Sequence, residues 1–278
     1  MSEMDESLLH QDAHFAFGKN WLDYSDKIDD ARINHAVDEL RRLTGLLNLE
    51  GKTFLDIGCG SGLSALAAMR LGARSLKGVD IDPDSVEASK RTFARFAPSA
   101  DARFEVASIF DMTPEAWGTF DVVHSWGVLH HTGDMYRAFR CAANLVSPGG
   151  YLVTALYRKT PFCGMWRSIK KWYSKASPEG QERARSLYTF LMKTAMRLRG
   201  RDFDDYVKGY SKGRGMDYYN DMHDWLGGYP YESIAPDACR QFFAENGFGL
   251  AGEFVQKAGR YLPGILGSGC DEFVFRKQ

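Results

Sequence analysis

The nine residues FLDIGCGSG, Phe54 to Gly62, restrict the folds open to this chain more than any other stretch. An apolar run carrying one carboxylate, Asp56, leads into Gly58, Gly60 and Gly62, and the helical sequence Leu63, Ala65, Leu66, Ala67, Ala68 follows at once. That order predicts a buried strand, a tight loop and a helix. Glycine is required where the loop needs φ values and a backbone approach that a Cβ would block, and the helix start just beyond presents unpaired N–H groups. Such a loop holds a nucleotide-like ligand. Dinucleotide-binding folds place G-x-G-x-x-G at this point, but here the spacing is G-x-G-x-G and a carboxylate stands two residues before the first glycine. Asp56 would repel a diphosphate and pair with an ammonium. Twenty residues past Gly60, LKGVDIDP forms a second short strand ending in Asp80, whose carboxylate can take the two hydroxyls of a ribose. Adenosine joined to an amino acid satisfies both ends.

The alternation continues. Strands are expected at Thr53–Ile57, Ser75–Val79, Arg103–Val106, Phe120–His124 and Tyr151–Leu156, with helices at Leu63–Leu71, Pro83–Phe96, near Thr113 and at Gly133–Leu145. Repeating β-α units demand right-handed crossovers and a parallel sheet covered on both faces, with the ligand at the carboxyl ends of the strands. Ahead of them, Ile33, Val37, Leu40, Leu43 and Leu47 mark an amphipathic helix over Ala31–Leu47. The aromatic stretch HFAFGKNWLDYSD either lids the ligand, with Lys19 or Asn20 pointing inward, or packs Phe15, Phe17 and Trp21 on the core.

From Lys159 to about Gly228 the pattern breaks. Met165, Ile169, Trp172 and Tyr173 share a helical face, and Ser177-Pro178-Glu179 caps a second helix running to Gly200. A helix at Pro236–Asn246 and strands at Gly249–Gln256 and Glu272–Arg276, the last after a Gly267-Ser268-Gly269 turn, then restore the sheet. The expectation is α/β: a seven-stranded, mostly parallel doubly wound sheet with N-terminal helices and a helical insert after the fifth strand. One domain spans residues 1–278, comprising an N-terminal helical lid or extension (1–50), a ligand-binding core (51–158), the insert as substrate cap (159–232) and a C-terminal helix and strands that complete the sheet (233–278).

The stretch from Phe54 to about Arg158 resembles the class I S-adenosylmethionine-dependent methyltransferases, Rossmann-like enzymes, and in particular bacterial small-molecule enzymes of the ubiquinone-methylase-like type. The resemblance implies S-adenosyl-L-methionine as donor and S-adenosyl-L-homocysteine as product. It places Asp56, Gly58, Cys59, Gly60, Asp80 and Ile81 around the donor, Ser108 and Ile109 of EVASIFD at the adenine, and Ser125 and Trp126 near the methionine end. Many relatives carry an aspartate where this chain has Ala107-Ser108, so backbone contacts would replace a carboxylate at the adenine amino group.

Methyl transfer needs alignment and, for a hydroxyl acceptor, a base. In HSWGVLHHT the resemblance puts His131 at the family's substrate-facing histidine, with His130 next in line. A further candidate is His223, in a stretch dense in aromatic and acidic residues: Asp217, Tyr218, Tyr219, Asp221, Asp224, Trp225 and Tyr229. Aromatic faces with carboxylates bind sugars, so Tyr218, Tyr219, Asp221, Trp225 and Tyr229 are the candidate substrate residues. Asp221, His223 and Asp224 lack a defined metal-ligand spacing, and no metal is expected. The expected reaction is O-methylation of a small-molecule or glycan-like hydroxyl; the alternatives are N- or C-methylation of a metabolite, or cofactor binding without catalysis.

Charge bears on partners. The chain is nearly neutral at −1, yet residues 158–214 hold 15 Lys or Arg against five acids. The excess suggests an anionic substrate or a basic amphipathic contact with a membrane surface, or else solvated helix faces. Nucleic-acid amino methylation is not indicated, because no N/D-P-P-[YF] follows the fourth strand. Arsenic methylation would need a thiol cluster that Cys59, Cys141, Cys163, Cys239 and Cys270 do not form in sequence. Five scattered thiols, an acidic N-terminus without a leader pattern and no long apolar run point to the cytoplasm.

Overall fold

The computed structural model describes residues 14–214, 217–255, 264–265, 267 and 269–278. Residues 1–13 of the N-terminal extension, Gly215 and Met216 of the aromatic stretch, Gln256 at the expected strand end and Ser268 of the expected turn lie outside the described residues.

Seven strands form one sheet: β1 (Thr53–Ile57), β2 (Ser75–Asp80), β3 (Ala102–Val106), β4 (Phe120–Trp126), β5 (Val146–Tyr157), β6 (Phe248–Phe254) and β7 (Cys270–Lys277). Their order is β3-β2-β1-β4-β5-β7-β6. The first five pair in parallel, and β7 runs antiparallel to both β5 and β6. Both faces are apolar. On alternate positions Leu55, Ile57, Val123, Leu152, Leu156, Phe273 and Phe275 join one core, while Phe54, Val122, Val153 and Val274 join the other. This period of two is the backbone pleat itself, and a sheet buried on both sides requires it.

Helices α1 (Gly18–Asp26), α2 (Asp30–Thr44), α3 (Leu63–Arg70), α4 (Pro83–Phe96), α5 (Pro114–Trp117) and α6 (Met135–Asn144) accompany the first five strands. The insert is four helices, α7 (Cys163–Lys175), α8 (Pro178–Leu198), α9 (Phe203–Arg214) and α10 (Tyr218–Gly227), and α11 (Pro236–Glu245) follows. Caps foreseen in the sequence are present: Ser177 accepts from the Gly180 N–H, with Pro178 in the first turn.

Three elements differ from expectation, one of them α9, which lies beyond the expected helix end at Gly200. The aromatic-acidic stretch reads as irregular chain, yet Tyr218–Gly227 is a helix whose N-cap Asp217 accepts from the N–H groups of Tyr219 and Asn220. Its inward positions Tyr218, Met222 and Leu226 recur every four residues, a helical signal masked by the acids and aromatics between them. Helix α1 also appears where few periodic signals exist. It is pinned from outside: the Gly18 N–H donates to Asp82 at 2.8 Å, and the buried Asn20 donates to the Asn220 carbonyl and to Asp224 at 3.1 and 2.7 Å. Lys19 is exposed and Asn20 points inward.

A third apolar cluster joins the insert to the sheet edge. Phe15, Tyr157, Trp166, Tyr173, Met196, Phe203, Tyr218, Met222, Leu226 and Tyr231 pack there, so the N-terminal aromatics, the end of β5 and the insert share one interior.

Candidate active site

The loop after β1 sits where β2, β1 and β4 end side by side. Asp56 is in register with Gly78 on one neighbour and His124 on the other. Gly58, Gly60 and Gly62 adopt φ of 74°, 50° and 75°, which L side chains rarely adopt. A Cβ on Gly58 would lie 2.2 Å from Val128, and one on Gly60 would lie 3.1 Å from the Trp21 ring. The loop is therefore held bare beneath α1.

Asp80, at the end of β2, accepts from the Gly60 N–H at 3.2 Å and the Asp82 N–H at 3.0 Å. Burial pushes its carboxyl up to about 6, against those two hydrogen bonds. Asp56 is buried and bonds His124 Nδ1 through Oδ1 at 2.8 Å. That partner was not foreseen, although the pairing of β1 with β4 makes it inevitable. The second carboxylate oxygen of Asp56 bonds no group among the described residues.

These groups line one cavity of about 1060 Å³ that runs from the glycine loop to the insert. Small-molecule sites span roughly 300–1,000 Å³, so two reactants can share it. Of the donor residues expected from sequence, Asp56, Gly58, Cys59, Gly60, Asp80, Ile81, Ser108, Ile109 and Trp126 line this cavity. Ser125 is buried away from it, its hydroxyl bonded to the Ile57 carbonyl at 3.2 Å. Ser108 accepts from the Phe110 N–H and so shapes the turn at Ile109–Asp111.

At the far end His131 enters the lining, whereas neither His130 nor His223 is among the lining residues. His131 Nδ1 donates to the Pro230 carbonyl at 2.6 Å, so Nε2 keeps its lone pair. Burial, with Lys170 adding to it, drives this imidazole down to about 3, and it stays neutral. His130 is fully buried, both ring nitrogens without partners among the described residues, and its ring lies tilted 4.1 Å from that of Tyr157. His223 Nδ1 accepts from Tyr173 Oη at 2.7 Å and from Arg185 at 3.1 Å. Tyr218, Asp221 and Trp225 line the cavity; Tyr219 is exposed outside it and Tyr229 is buried elsewhere.

Several lining residues escaped the sequence reading. His35, Glu39, Leu40 and Leu43 come from α2, which reads as a plain amphipathic helix; Tyr188 and Met192 come from α8, and Tyr206 and Tyr210 from α9. The signal for the last four was the inward face of the insert helices. The lining holds six carboxylates (Glu39, Asp56, Asp80, Asp221, Asp224 and Glu272) and, among the described residues, no Lys or Arg. The basic excess of the insert faces elsewhere, and gives no support to an anionic acceptor in this cavity.

Among the described residues of the insert, one cation is buried. Lys170 on α7 is fully buried, bonds the Trp225 carbonyl, and holds its amine 3.8 Å over the Trp225 ring with Tyr157 and Tyr231 beside it. Burial lowers its pKa well below the ordinary value, although Cys270, Asp224 and Asp221 oppose this. The unfolded chain then holds a proton that the folded one lacks, so stability from this group rises with pH. Lys170→Met is expected to flatten the rise of urea-unfolding free energy as pH climbs toward the ordinary lysine value, by up to about 1.4 kcal/mol per pH unit. Equal slopes in both proteins would refute this account of Lys170.

The donor set suits an adenosyl amino acid. A bare loop, a half-buried carboxylate at the end of β2, apolar walls at Ile81 and Ile109 and an available oxygen on Asp56 match its ribose, adenine and ammonium in turn. Fold and site together define a class I S-adenosylmethionine-dependent methyltransferase. A model of the methyltransferase domain matches residues 29–195, and the chain belongs to that family, whose donor is S-adenosyl-L-methionine. Among curated proteins it is 33% identical over 138 residues to the ubiquinone biosynthesis O-methyltransferase of Neisseria meningitidis, covering 49% of this chain and 58% of that one. The counterpart from Xanthomonas oryzae is 32% identical over 129 residues, 46% and 53% of the two chains. The chain thus matches little more than half the length of these relatives. Among solved structures, magnesium protoporphyrin IX methyltransferase from Synechocystis with S-adenosylhomocysteine aligns over 89% of this chain and 84% of its own, with TM-score 0.52 and 16% identity. PKMT2 from Rickettsia typhi aligns over 87% and 52%, with TM-score 0.59 and 18% identity. These two likenesses concern the fold.

Proposed function

We propose that this protein transfers a methyl group from S-adenosylmethionine to a hydroxyl oxygen of a small, uncharged molecule, saccharide-like or aromatic, held under the insert. The observation that carries this reading is the continuity of one cavity from Asp80 to His131. When bound, the donor supplies an activated methyl on sulfur. The chain's own residues do the rest. Asp80 accepts the ribose hydroxyls, the loop at Gly58–Gly60 lies against the ligand backbone, Ile81, Ser108 and Ile109 bracket the adenine, and the free oxygen of Asp56 receives the ammonium.

His131 receives the acceptor's proton at Nε2. Its pKa of about 3 makes it a weak base toward a resting hydroxyl. A hydroxyl whose oxygen is gaining a methyl becomes far more acidic, so proton transfer late in the reaction is downhill even to this imidazole. The Pro230 carbonyl fixes the tautomer that makes this possible. The aromatic wall of Tyr206, Tyr210, Tyr218 and Trp225 offers ring faces to an acceptor ring. The curated relatives are themselves O-methyltransferases, which favours oxygen.

Asp221 and Asp224 favour a second reading, a protonated amine delivered to the same place. The test is a panel of hydroxylated and amine compounds incubated with donor and protein, scored by a mass gain of about 14 for one CH₂. Gain on hydroxyl compounds is expected; gain confined to amines would replace oxygen by nitrogen. No disulfide joins Cys59, Cys141, Cys163, Cys239 or Cys270, which supports a reducing compartment, the cytoplasm.

A further inference from the structure

Helix α8 exposes an apolar ridge. Leu187, Phe190, Leu191 and Leu198 are 60%, 64%, 46% and 84% exposed, and their spacing of i, i+3, i+4 and i+11 places them along one side of the helix. The adjoining side is accounted for: Ala184, Tyr188, Met192 and Met196 pack into the insert core. Along the ridge stand exposed Arg183, Lys193 and Arg197, with Arg199 and Arg201 just past the helix end. Scattered exposed leucines are ordinary, but a contiguous ridge edged by cations is the composition of a helix that lies in an interface.

We propose that the outward ridge of α8 docks on an anionic lipid surface, with Leu187, Phe190, Leu191 and Leu198 entering the acyl boundary and Arg183, Lys193 and Arg197 meeting the phosphates. Charge decides between a bilayer and a second copy of the chain. A two-fold interface on this ridge would bring the same cations of two molecules together, whereas an anionic surface pairs each of them. No helix among the described residues is long and apolar enough to cross a membrane, so contact of this kind is peripheral. The ridge residues do not line the cavity, and docking does not depend on which acceptor is methylated.

Co-sedimentation of the full chain with vesicles tests this. Binding is expected to phosphatidylcholine vesicles containing phosphatidylglycerol, not to phosphatidylcholine alone, and to weaken with salt. The double variants F190S/L191S and K193E/R197E are each expected to lose at least about tenfold in vesicle affinity, while donor binding by calorimetry stays at the parent value and shows that both are folded. No sedimentation with anionic vesicles, or variants that bind them as the parent does, overturns the proposal. So does a concentration-dependent dimer abolished by F190S/L191S, which would make the ridge a contact between copies.

Discussion

Replacing His131 by alanine is expected to lower kcat by about 10²-fold or more, the range that a positioned base contributes, with donor affinity nearly unchanged. The ring lies in the cavity wall, its Nδ1–H is tied to the Pro230 carbonyl, and its low pKa keeps Nε2 available throughout the physiological range. With donor saturating, kcat is therefore expected to show no limb near pH 6.5 from this residue. His131→Gln, which keeps a donor for Pro230 but not the imidazole, separates support of the loop from proton transfer. Full activity in that variant would refute the base. His223→Ala serves as the contrast: that ring is bound by Tyr173 and Arg185 outside the cavity lining, and its loss is expected to reduce stability more than turnover.

Asp80→Ala is expected to weaken donor binding by about 10²- to 10⁴-fold, since two hydroxyl hydrogen bonds to an ionised carboxylate contribute about 1.5–3 kcal/mol each. The pH dependence has a definite sign. The carboxylate is the accepting form, and burial holds the free protein's Asp80 at about 6. Donor affinity should thus be full above pH 6 and fall about tenfold per unit below it. Calorimetry at pH 5, 6, 7 and 8 checks both the midpoint and its disappearance in Asp80→Ala. Stability should change little, within about 1 kcal/mol, because relief of a desolvated charge offsets the acceptors lost to Gly60 and Asp82. An unfolded variant would assign Asp80 to structure instead. Unchanged affinity in a folded one would remove it from the donor site.

The half of the cavity proposed to hold the donor was legible in its geometry, because the requirements of a bare loop after a strand are local. Asp56, Gly58, Gly60 and Asp80 sit at strand ends whose order follows from β-α alternation, and the glycines declare themselves by conformations that other residues rarely adopt. The acceptor half was legible only in part. Tyr218, Asp221 and Trp225 stood out by composition, but Tyr188, Met192, Tyr206 and Tyr210 come from helices whose sequences differ little from ordinary amphipathic surface. A periodicity shows that a helix has an inward face without saying what that face encloses. The charge of residues 158–214 left an anionic substrate, a membrane contact and solvated helix faces all open, since its sum is a property of the chain and its direction a property of the packing.

The sequence by itself determined the seven alternating strands of a mostly parallel sheet and the bare loop Phe54–Gly62, because strand alternation, crossover handedness and glycine conformations act within a few residues or between neighbouring units. Tertiary structure alone decided the rest. It set His124 beside Asp56, laid Trp21 over Gly60, turned His131 inward while burying His130, and sent Tyr188, Tyr206, Tyr210, Tyr218 and Trp225 of the insert into the cavity lining. The reason is physical: these are contacts between elements distant in the chain, chosen by which surfaces can be buried together, and no local pattern encodes the partner.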